Sequence, residues 1–74
     1  MQHMITVQFQ NESVNIEPVV KDGNVLFKVY FDHPIYLEKE LDGGGAEYWI
    51  EMGVGSTVRA QEIGELINQH PELI

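Results

Sequence analysis

Between Ile5 and Leu41, apolar and polar residues alternate through four successive stretches, and each stretch ends in residues suited to a tight turn. Alternation of period two marks strands with one buried face. Ile5, Val7 and Phe9 alternate with Thr6, Gln8 and Gln10; Val14, Ile16, Pro18 and Val20 with Ser13, Asn15, Glu17 and Val19. Val25, Phe27, Val29 and Phe31 follow, then Ile35, Leu37 and Leu41.

The turns test whether these stretches share a face, because a one-residue slip sends every apolar side chain to the wrong side. A two-residue loop at Asn11 and Glu12 sets Phe9 opposite Val14, Val7 opposite Ile16 and Ile5 opposite Pro18. Asp22-Gly23 is a strong type I′ hairpin signal; closing there pairs Val20 with Val25, Pro18 with Phe27, Ile16 with Val29 and Val14 with Phe31. A three-residue loop at Asp32, His33 and Pro34 aligns Phe31 with Ile35, Val29 with Leu37 and Val25 with Leu41. Beyond Asp42 and three glycines, Ala46, Tyr48, Ile50 and Met52 are expected to join that face as a fifth strand, although a long glycine loop sets register weakly. Pro18 has no N–H to donate and suggests a bulge or an early end to pairing.

After Met52 the period changes. Ala60, Ile63, Gly64 and Ile67 recur at helical spacing among polar residues, with Ser56 or Thr57 as the cap and Pro71 as the stop. Gly64 in mid-helix is unfavourable by roughly 1 kcal/mol relative to Ala, which points to close approach of an aromatic side chain of the sheet. The fold class expected is therefore α+β: a four- to five-stranded antiparallel β-meander of order 1-2-3-4-5 with one C-terminal α-helix across one face. Strands are expected at about 4–10, 13–20, 25–31, 35–41 and 46–52, and the helix at about 57–70, in a single domain of 74 residues. His3-Met4 is the dipeptide a common cloning junction encodes, so Met1 to His3 read as a remnant.

Twelve acidic residues against four basic ones give a net charge of −8. That charge disfavours nucleic acid and anionic lipid and suits a basic protein partner. There is no cysteine, so disulfides and thiolate sites are excluded, and a reducing, cytoplasmic setting is expected. No apolar run approaches a membrane span. The order of elements is similar to that of single-strand nucleic-acid binders of the PUR type. The basic, aromatic-interleaved strands such binders use are replaced by Glu17, Glu38, Glu40, Glu47 and Glu51, so no functional residue carries over.

Once a helix covers one face of the sheet, the other becomes the place to seek function. The expected register puts Tyr30, Tyr36 and Trp49 there, with Leu26, Glu38 and Glu51 beside them. Rigid aromatics rimmed by carboxylates suit a contact surface for a protein partner or a second copy, equally reachable through an edge strand. The alternative is a small-ligand or anion site at the strand-to-helix turn, where Gly53, Gly55, Ser56 and Thr57 lie at a helix N-terminus. The turn lacks the lysine of a phosphate loop. A catalytic pair of Glu40 and Glu47 beside Trp49 is a third reading, but general acid–base work needs one desolvated carboxyl, and these are expected on an exposed face. His3, His33 and His70 are scattered and Asp32-His33 supplies only two ligands, so no metal and no cofactor is expected. The reading is a non-catalytic interaction domain that self-associates.

Overall fold

The computed structural model describes residues 4–73. Five antiparallel strands, β1 (Ile5–Phe9), β2 (Glu12–Lys21), β3 (Asn24–Val29), β4 (Ile35–Leu41) and β5 (Glu47–Glu51), form one sheet in the order β1-β2-β3-β4-β5, followed by helix α1 (Val58–Asn68) and a short 3-10 turn (Pro71–Leu73). The α+β meander expected from the alternation is the observed fold. No helix among the described residues is long and apolar enough to cross a membrane. Met1 to His3 and Ile74 lie outside the described residues.

The β2–β3 hairpin turns at Asp22 and Gly23, both with positive φ, and its register is the expected one, from Val20 opposite Val25 to Ile16 opposite Val29. Three other registers differ. The first hairpin turns at Gln10 and Asn11, whose φ values of 51° and 65° meet the type I′ requirement for positive φ at both central residues. Phe9 therefore lies opposite Glu12 and Val7 opposite Val14, a shift of two residues that leaves every side chain on its expected face. Pairing of β2 with β3 runs through Pro18 opposite Phe27 without a bulge, and on the β1 side the position opposite Pro18 lies outside the described residues.

The second difference is at β3–β4, where Val29 faces Ile35 and Phe27 faces Leu37. Phe31 has left the strand: its N–H bonds back to Val29 O (3.0 Å), and its ring packs on Phe9 at 6.1 Å. The third is the one-residue offset of β5. Glu38 lies opposite Ile50 and Lys39 opposite Trp49, so Trp49 and Glu51 face the helix while Tyr48 and Ile50 face away. The loop over 42–46 is pinned by Asp42, whose carboxylate accepts from the N–H groups of Gly44 (2.8 Å) and Ala46 (2.9 Å).

The core lies between this sheet and α1, which rests on β4 and β5. Ile16, Val29, Leu37, Ala60, Ile63 and Ile67 are fully buried, and Leu73 docks beside them. Each large aliphatic side chain buried this way contributes about 1.5–3 kcal/mol. Trp49 reaches under Gly64 and meets Phe27 edge-on at 5.5 Å. A Cβ at position 64 would overlap the indole ring, which is the close aromatic approach that the mid-helix glycine implied. Thr57 is the N-cap, accepting from Ala60 N–H at 3.1 Å.

Candidate interaction face

The outer face of the sheet, away from α1, carries Tyr30, Tyr36, Leu26 and Glu38 as expected, but Trp49 and Glu51 are not there. Trp49 is 3% exposed and Glu51 2%. Burial of the indole beneath Gly64 outweighs the alternative of burying Tyr48 and Ile50, and the glycine loop before β5 leaves the register free to follow that packing. The same offset separates the imagined acidic pair. Glu40 points outward opposite Tyr48, whereas Glu47 points inward and pairs with Lys39 at 3.3 Å.

In place of Trp49 the offset brings Tyr48, Ile50 and Met52 to the outer face; sequence reasoning missed all three through its error in one register. β3 and β4 pair at only three positions, from Phe27–Leu37 to Val29–Ile35, while β2–β3 and β4–β5 continue well past them. The sheet therefore forks. In the fork, on the outer side, opens a cleft of about 490 Å³, with Leu26 (8% exposed) at its floor and Val19, Tyr36, Glu38 and Met52 among its walls.

Charge around the cleft is uneven. Lys28 lies over the rings of Tyr30 and Tyr36, 4.8 and 5.9 Å from their centroids. Tyr30 donates its hydroxyl to Glu17 at 2.6 Å, and this bond holds the phenol above its ordinary pKa, with desolvation adding to it. Glu38 is raised above the usual carboxylate range, first by hydrogen bonding with the carboxyl of Glu40, then by desolvation and by repulsion from that group. Lys21 and Asp22 also line the cleft, and the chain's other two basic residues are committed elsewhere, Lys39 to Glu47 and Arg59 to Glu51.

The turn at 53–57 is organised inward. Glu51 accepts at its carbonyl from the N–H groups of Val54 (3.0 Å) and Gly55 (2.9 Å), with positive φ at Gly53 and Gly55. Its carboxylate receives the Thr57 hydroxyl (2.5 Å) and two Arg59 N–H groups (2.7 and 2.8 Å) beside the N-terminus of α1. The anion at this helix end is thus the chain's own side chain, which the Arg59 hydrogen bond holds below its ordinary pKa, against the opposing effect of burial. Ser56 lies within 3.2 Å of the Gln61 amide nitrogen. His33 sits in the exposed 30–34 link, and no cluster of three or more metal-ligating side chains occurs among the described residues. The chain matches no family model, no curated protein and no solved structure.

Proposed function

We propose that this chain is a non-catalytic protein-interaction domain whose outer sheet face receives a basic segment of a partner protein. The observation that carries the reading is the uncovered cleft itself: an apolar floor and walls (Leu26, Val19, Tyr36, Met52) next to Glu38 and Glu40, whose mutual repulsion a partner cation would relieve. Apolar anchors beside the paired carboxylates of Glu38 and Glu40 favour an occupant that offers an aliphatic or aromatic side chain next to Lys or Arg. The net charge of −8 on the whole chain makes a basic partner a better fit than a second copy stacked on this face. The lack of cysteine supports the cytoplasm as the working compartment.

Selection of a displayed peptide library on the immobilised domain tests this. Enriched peptides are expected to carry Lys or Arg beside an apolar residue, and Met52→Glu should weaken their binding by about tenfold or more while leaving the fold intact. No enrichment, or binders indifferent to Met52→Glu, would reject the reading.

A further inference from the structure

The sheet has two borders, and the chain treats them differently. Along β5 the outward backbone groups of Trp49 and Glu51 are met from within. Glu51 N–H donates to Gly55 O and Gly55 N–H to Glu51 O, both at 2.9 Å. Trp49 N–H donates to the Gln61 side-chain oxygen at 2.9 Å, and the Gln61 amide donates back to Trp49 O. A glutamine side chain carries the same donor and acceptor as a peptide unit, so Gln61 stands where a neighbouring strand would be.

Along β1 nothing of this kind occurs among the described residues. Phe9 and Glu12 flank a two-residue turn and exchange hydrogen bonds; by alternation Val7 and Ile5 also face β2, while Thr6 and Gln8 turn their N–H and C=O groups outward. The usual defences of an edge strand are a charge, a proline or a bulge, and Ile5–Phe9 has none: its register with β2 is unbroken and its residues are uncharged, in a chain of net charge −8.

We propose that β1 is a self-association edge, pairing antiparallel with β1 of a second copy about a two-fold axis at Val7. In that register Thr6 of each copy lies opposite Gln8 of the other, Val7 opposite Val7 and Ile5 opposite Phe9. The outward backbone groups of Thr6 and Gln8 complete each other's hydrogen bonds, and both sheets continue with the same face inward. A slip of one residue fails on both counts, since it opposes apolar to polar side chains and misaligns the free N–H and C=O groups. A second copy suits this edge because an uncharged strand lets two strongly acidic molecules meet without opposing carboxylates there. The pairing does not involve the outer cleft.

Molar mass across a dilution series, by light scattering or sedimentation, tests the pairing in three chains: native, Thr6→Lys with Gln8→Lys, and Thr6→Lys with Gln8→Glu. Both positions are exposed. The native chain is expected at twice the monomer mass when concentrated and at monomer mass when dilute. The double lysine variant sets like charges opposite one another and should raise the dissociation constant about tenfold or more; the lysine–glutamate variant makes the pairs attractive and should return it near the native value. Hydrogen exchange at the Thr6 and Gln8 amides of the native chain, slowed with rising concentration, reads the same contact without substitution. A chain that stays monomeric, a dimer indifferent to the lysines, or one not restored by the charge swap overturns the proposal. A dimer that survives Met52→Glu, with peptide binding lost, keeps this inference separate from the outer-face reading.

Discussion

Gly64 is the position where one added carbon does the most harm. Alanine there improves helix propensity by about 1 kcal/mol, yet its Cβ would overlap the Trp49 ring, and overpacking of a close-packed core costs about 1–3 kcal/mol. Gly64→Ala is therefore expected to lower stability despite the better helix former, measured by urea unfolding followed through the single tryptophan; a stabilised variant would contradict the packing described. Glu51 makes a prediction in pH. Its carboxyl is depressed in the folded state by Arg59 and Thr57, so its contribution is present above its unfolded pKa and disappears as pH falls through the lower folded value. Glu51→Gln should cost about 1–3 kcal/mol at neutral pH, by weakening charge-assisted bonds to Thr57 and Arg59, and should flatten the acid limb of a stability profile. An unchanged acid limb would assign that pH dependence to other carboxylates.

At the scale of elements, β5 depends on a side chain of the helix for its outer hydrogen bonds. Gln61→Ala removes both bonds to Trp49 and should cost about 1–3 kcal/mol while accelerating hydrogen exchange at the Trp49 amide more than at Ile16 or Val29; uniform acceleration would show that Gln61 has no special hold on the edge. Much of this architecture is legible in the sequence. Asp22-Gly23 determines the central hairpin, the helical period marks α1, and Gly64 announces an aromatic neighbour. What escapes is long-range. The identity of that neighbour sets the β5 register, and the three glycines that precede the strand carry no turn preference strong enough to reveal it. Hence Tyr30, Tyr36, Leu26 and Glu38 are assigned to the outer face correctly, Trp49 and Glu51 are not, and Met52 is missed. Gln61 is invisible for another reason: a glutamine on a helix surface is ordinary, and only the fold brings it to a strand border.

Across the whole molecule the sheet divides into β1–β2–β3 and β4–β5, the latter carrying α1, with three residue pairs of β3 and β4 between them. Val20, Val25 and Leu41 stand exposed beyond that junction on the helix side. The fork opens on both faces: the outer cleft has Leu26 and Glu38 on its two arms, and a smaller notch on the helix side has Val25 and Lys39 on the same two arms. One hydrophobic core beneath α1 bridges the two arms. Because the two openings share their arms, an occupant seated over Leu26 is expected to change the surroundings of Val25 on the opposite side, read as a shift of the Val25 methyl resonances; no shift would show that the arms do not move together.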